Sequence, residues 1–271
     1  MKKKVSISFF CWLLVMCYYP LFVGAAMQER KQLFDDNWRF KLGDIPDASS
    51  FTFDDADWRS LDLPHDWSVE ADFDEKAPAG SDGGYLPTGI GWYRKTFHVD
   101  KALQGKTLRL YFEGVYMNSE VFVNGERAGG HPYGYSSFFC DITPYLRFGQ
   151  ENVVAVKVDN SQQKNCRWYT GAGIYRHVWL LTTEAMYIDD WSVYIRPVPQ
   201  KDIDDWKLDI TMRYVDGAQT GAKPEIRHTV YDEAGKAIAT SAGGHTEQSF
   251  SVNRPKLWSP DTPYLYKVCT Q

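Results

Sequence analysis

Arg167, Trp168 and Tyr169 stand in succession, followed by Gly171 and Gly173 and then by an apolar run over residues 174–181. An indole and a phenol beside a guanidinium suit a polyol, because a sugar ring offers apolar C–H faces to stack upon and hydroxyl edges to bond. The same two aromatics would serve equally to plug the end of a β-sandwich, and the stretch taken alone leaves both readings open. A second constellation, Pro64-His65-Asp66-Trp67, follows the apolar Leu61 and Leu63 and sets an acid and an imidazole beside a tryptophan. It too has the groups to hold a polyol.

Other chemistries find little support. There is no G-x-S-x-G elbow, and no spacing among the six histidines singles out a triad or a metal set. Gly171-x-Gly173 lacks a third glycine and precedes a strand, whereas a phosphate cradle opens a helix. The carboxylates crowded between Asp35 and Glu75 read as solvated loop charges, Asp66 excepted. A formal charge of -5 argues against a nucleic-acid partner. Of the five cysteines, Cys140, Cys166 and Cys269 are well separated and odd in number, so neither a disulfide framework nor a zinc site is expected. No cofactor and no metal are implied.

The elements that must carry these residues are strands. Leu108, Leu110 and Phe112 alternate with Thr107, Arg109 and Tyr111, the period of a half-buried strand. Val121 and Val123 continue the pattern up to Asn124-Gly125, which suits a type I′ hairpin turn. Val154, Val156 and Val158 form a third face, and 174–181 reads as a fourth strand. Helical periodicity is not evident, and 15% aromatics favour strands. The pattern pauses near 186 and restarts with strands at 190–196, 207–214, 225–231, 237–240, 248–252 and 264–270, the third and fourth joined by a turn at 232–235. The expected class is all-β, in two sandwiches over 27–186 and 187–271.

Lys2, Lys3 and Lys4 before an apolar run at 5–23, with Gly24, Ala25 and Ala26 behind it, predict a secretory signal over 1–26 and a mature protein that is periplasmic or extracellular. A membrane anchor is the competing reading, since the run approaches the ~20 residues that span a bilayer.

With these residues in hand the chain resembles the N-terminal part of a glycoside hydrolase family 2 enzyme of the β-galactosidase type. The resemblance is carried by Phe34-Asp35-Asp36-Asn37-Trp38-Arg39-Phe40, by Trp58 through Trp67, by Gly91-Trp92-Tyr93-Arg94, and by Val121-Phe122-Val123-Asn124-Gly125. It runs on through His131-Pro132-Tyr133-Gly134-Tyr135, Arg167-Trp168-Tyr169 and Leu257-Trp258-Ser259-Pro260. It implies a galactose-binding-like jelly roll, then an immunoglobulin-like sandwich that is incomplete by residue 271, then a catalytic (β/α)8 barrel that is absent from these residues. Such a barrel needs about 250 more residues, and no Asn-Glu pair of the family's acid/base type occurs, so no catalytic residue is assigned.

The resemblance also implies that the loop 166–173 helps to shape a terminal sugar subsite, which makes Arg167 and Trp168 the leading substrate-binding candidates and Asp66 and His65 weaker ones. Better-known β-galactosidases carry an aspartate near the Arg167 position, so a different hydroxyl pattern or sugar is in play. The expected partner is a carbohydrate, a terminal β-galactoside or related glycan. A stand-alone exported lectin-like module and a purely structural sandwich pair are the alternatives.

Overall fold

The computed structural model describes residues 30–164, 166–200 and 204–271; the expected signal segment at 1–26 lies outside the described residues. Among the described residues the regular structure is strand, with three short 3₁₀ turns and no α-helix.

The first unit comprises β1 (Lys31–Leu33), β2 (Trp38–Leu42), β3 (Arg59–Leu61), β4 (Ile90–Val99), β5 (Thr107–Phe112), β6 (Ser119–Val123), β7 (Glu126–His131), β8 (Phe138–Asp141), β9 (Gln150–Asp159) and β10 (Val178–Thr183). They form two antiparallel sheets, β1-β10-β5-β8 and β3-β2-β4-β9-β6-β7. Alternation puts one face of each sheet inward. Trp38, Leu108, Leu110, Phe112, Val121, Val123, Val154, Val156 and Val158 meet between the sheets with no exposed surface. Asn124 and Gly125 join β6 to β7 with φ of 52° and 94°, the paired positive values of a type I′ turn.

The strand expected over 174–181 begins only at Val178. Gly173, at φ +121°, turns the chain out of extended geometry, and Ile174 then pairs with the Pro64–Trp67 segment instead of with a sheet.

Strand β4 works on both faces. Tyr93 points into the core, while Trp92 and Arg94 point outward into a second, smaller core with Ala48, Trp58 and Ala155. Arg94 is 1% exposed. Its guanidinium donates to Asp55 Oδ2 at 2.7 Å, to the carbonyls of Ser50 at 3.0 Å and Phe53 at 3.3 Å, and to that of Ala48. A buried cation needs such a full set of acceptors, and the set clamps the long loop between β2 and β3 onto the sheet.

The second unit holds β11 (Met186–Ile188), β12 (Tyr194–Pro199), β13 (Asp205–Thr211), β14 (Tyr214–Asp216), β15 (Ile226–Tyr231), β16 (Ala237–Gly243), β17 (Glu247–Asn253) and β18 (Lys267–Thr270). They pair as β12-β13-β17, β16-β15-β18 and β11-β14. The 232–235 turn joins β15 to β16 through Gly235 N–H to the Asp232 carbonyl at 3.0 Å. Between the two three-stranded sheets lies an open apolar cleft of about 530 Å³ lined by Trp206, Leu208, Val230, Val252, Trp258 and Val268. Leu265 at its lip is 68% exposed. The units meet where Arg109 of β5 pairs with Asp190 and the Tyr187 ring lies 4.2 Å from its guanidinium carbon.

Candidate functional site

The two motifs singled out in the sequence meet at one end of the first sandwich. His65 N–H donates to the Ile174 carbonyl at 2.8 Å and Trp67 N–H to the Ala172 carbonyl at 3.1 Å, so the loop before β10 and the Pro64–Trp67 segment run side by side. Gly173 makes this approach possible. A Cβ there would lie 2.3 Å from Tyr93 Oη and 2.8 Å from the His65 carbonyl oxygen, distances that no side chain tolerates. Gly173 also exchanges backbone bonds with Tyr116, at 2.9 and 3.0 Å.

Upstream, the loop is held by buried Asn160. Its side-chain amide donates to the Gly171 carbonyl at 2.9 Å and accepts from Gln163 Nε2 at 2.8 Å. A segment tied at both ends can present side chains without ordering them at the moment of binding.

What the loop presents is Arg167 and Trp168. Both are exposed, Trp168 by 61%. Its indole N–H donates to Tyr135 Oη at 3.2 Å, which fixes the ring and leaves its surface in water. Arg167 makes no hydrogen bond or ion pair with the described residues. Tyr169 turns the other way and donates its phenol proton to Asp66 Oδ2, while Asp66 Oδ1 accepts from Ser68 N–H at 3.0 Å. Partial burial and then the Asp66 carboxylate push the Tyr169 phenol well above its ordinary pKa, so it stays a donor and the pair stays formed.

His65 is placed otherwise. Its side chain is 4% exposed, with Nδ1 2.7 Å from Tyr93 Oη and Nε2 3.3 Å from Glu70 Oε2. Burial lowers its pKa from 6.5. The ring is drawn under the loop by Phe40, 4.6 Å away between centroids. With Tyr93 and Glu70 as its partners, His65 lies beneath the Pro64–Trp67 segment, and of the weaker substrate-binding candidates Asp66 stands nearer the exposed Arg167 and Trp168.

Arg167, Trp168, Tyr169 and Asp66 thus form a rim and not a pocket. The recess beside Trp168 and Tyr169 measures about 10 Å³, near the size of one water position and far below a sugar ring. The 530 Å³ cleft in the second unit is much larger and mostly apolar; Lys207, Lys256, Tyr264 and Tyr266 stand among its lining residues, but none of the site residues singled out in the sequence does. Sequence reasoning passed over Asn160, Gln163 and the Tyr135 hydroxyl, since nothing local marks a polar side chain whose partner is another loop.

Residues 32–184 match the family model described as glycosyl hydrolases family 2, sugar binding domain, and residues 186–271 match glycosyl hydrolases family 2. A beta-galactosidase of Bacteroides ovatus is 46% identical over 249 residues, covering 88% of this chain and 29% of its own length. A putative beta-glucuronidase of Formosa agariphila is 40% identical over 266 residues, covering 96% of this chain and 25% of its own. Among solved structures, a beta-glycosidase from Bacteroides vulgatus superposes with a TM-score of 0.80 at 38% identity, over 90% of this chain and 32% of that one. The chain therefore spans less than a third of each of these relatives, and it corresponds to their N-terminal portion, a sugar-binding domain followed by an immunoglobulin-like domain. By both its family matches and its two-sandwich fold, this chain belongs to glycosyl hydrolase family 2.

Proposed function

We propose that this chain is the N-terminal, non-catalytic part of an exported β-galactosidase-like glycosidase, and that it supplies one wall of the terminal sugar subsite. The observation that carries this reading is the exposure of Arg167 and Trp168 on a loop pinned at both ends, in a chain whose first domain is of the sugar-binding type. Retaining hydrolysis needs two carboxyl groups about 5–5.5 Å apart. Asp66 is the carboxylate on the rim, and both its oxygens are engaged, by Ser68 and Tyr169. In this reading the reacting carboxylates belong to the catalytic barrel that the family resemblance implies. Export rests on the basic and apolar segment at 1–26, and mass spectrometry of the secreted protein should find its first residue near position 26 or 27.

Calorimetric titration with galactose, glucuronate and mannose tests the rim. Binding of galactose that disappears in Arg167→Ala and Trp168→Ala is expected; no heat with any of the three, or heat indifferent to both substitutions, sinks the reading. Release of chromophore from a β-galactoside by the chain alone would overturn the assignment of catalysis elsewhere. One observation favours an acidic sugar as a second reading: the Arg167 fork has no hydrogen-bond or ion-pair partner among the described residues, and its planar donors match a carboxylate. A salt-sensitive preference for glucuronate over galactose would decide for it.

A further inference from the structure

Next to the rim stand two more exposed aromatics, Tyr133, which the reading above leaves without a task, and Tyr135, whose hydroxyl holds Trp168 while its ring face has none. Tyr133 is 58% and Tyr135 46% exposed, beside Trp168. Large aromatics kept side by side in water mark a contact surface, and here they are held there by construction. Tyr175 Oη donates to the Gly134 carbonyl at 2.7 Å, and His131 Nε2 lies 2.7 Å from Ser136 Oγ across the same turn. Gly134 itself sits against Tyr116, whose Cδ2 lies 2.0 Å from where a Cβ would be; only glycine lets the turn lie that close. Tyr135 packs edge-on to Tyr116 at 5.3 Å and to Tyr133 at 5.7 Å, and it receives the Trp168 indole proton.

We propose that Tyr133 and Tyr135, contiguous with Trp168, form a second sugar subsite that stacks the next ring of a glycan, so that the chain binds an oligosaccharide in preference to a lone sugar. This rests on the rim reading. The chemistry favours a glycan over an apolar protein surface in two respects. Each ring carries a hydroxyl that can bond a sugar hydroxyl while the face stacks; that of Tyr135 accepts the Trp168 indole proton and keeps its own proton to donate. The rings are also inclined at 69° to each other, which gives separate ring faces where a flat apolar contact would want a continuous one. Rigid presentation removes the ordering penalty that flexible side chains carry on binding.

The test uses the full chain with galactose, β-1,4-galactobiose and β-1,4-galactotriose in calorimetric titration. One added stacking contact tightens the di- and trisaccharide about tenfold over galactose. Tyr133→Ala should erase most of that gain with the galactose Kd unchanged, and Tyr133→Phe should retain it. Equal Kd for the three sugars, or a gain that survives Tyr133→Ala in a variant with unaltered circular dichroism, overturns the second subsite while galactose binding lost in Arg167→Ala keeps the rim. Failure of all three sugars to bind overturns both together.

Discussion

Replacing Gly173 by alanine probes the junction on which the rim depends. The new methyl would meet Tyr93 Oη at 2.3 Å, the His65 carbonyl oxygen at 2.8 Å and Trp67 Cε3 at 3.3 Å, from a backbone at φ +121°. The hydroxyl can swing away only by giving up its 2.7 Å contact with His65 Nδ1, a loss of about 1 kcal/mol. The carbonyl cannot move without breaking the paired bonds from His65 and Trp67 to Ile174 and Ala172. Crowding a packed site adds about 2 kcal/mol, and the positive φ adds about 1 kcal/mol. Together they remove about 4 kcal/mol, which lowers the melting temperature of a domain of this size by about 10 °C. Gly105→Ala is the control, since Gly105 also has a positive φ, of +91°, but meets nothing within 4 Å; it should lose only about 1 kcal/mol, or about 3 °C. Differential scanning calorimetry of the first sandwich reads both. Melting temperatures within 2 °C of each other would refute the close approach, and with it the account of how the two loops are joined.

Two further outcomes are expected. Burial lowers the pKa of His65 and His228 from 6.5, so the unfolded chain binds protons more readily; stability is full above pH 6.5 and falls as the pH drops below it. Glu70, held at about 2 by Arg59 and His65, begins to contribute its own loss only below its ordinary value of 4.5. The melting temperature should drop between pH 7.5 and 5.0, less so in His65→Gln, and a melting temperature that rises on acidification contradicts the placement of both rings. The open cleft of the second unit, with Leu265 68% and Trp258 59% exposed at its edge, should bind anilinonaphthalene sulfonate and promote aggregation. Leu265→Ser should weaken both; dye binding that does not change argues that the cleft is closed in solution.

How much was legible in advance follows from the range of each interaction. Strand faces such as Leu108-Leu110-Phe112 and Val154-Val156-Val158 were readable because period-two alternation is a local pattern imposed by burial on one side. The Asn124-Gly125 and 232–235 turns were readable because backbone dihedrals there select the residues. The start of β10 was misplaced since the apolar run at 174–181 does not show that Gly173 breaks it, and the reason Gly173 must break it, Tyr93, lies 80 positions upstream.

The residue types at the rim were fixed by the order of amino acids alone: a guanidinium, an indole, a phenol and a carboxylate in two short motifs, set among strands whose alternation requires two sandwiches. Tertiary structure decided which of them face water. It turned His65 inward because Phe40 and Tyr93 offered a ring-sized place and a hydroxyl partner. It brought Tyr169 to Asp66 across a separation of 103 residues, and left Arg167 and Trp168 outside. Proximity of that kind is set by the packing of two sheets against each other, and no local pattern in the chain encodes it.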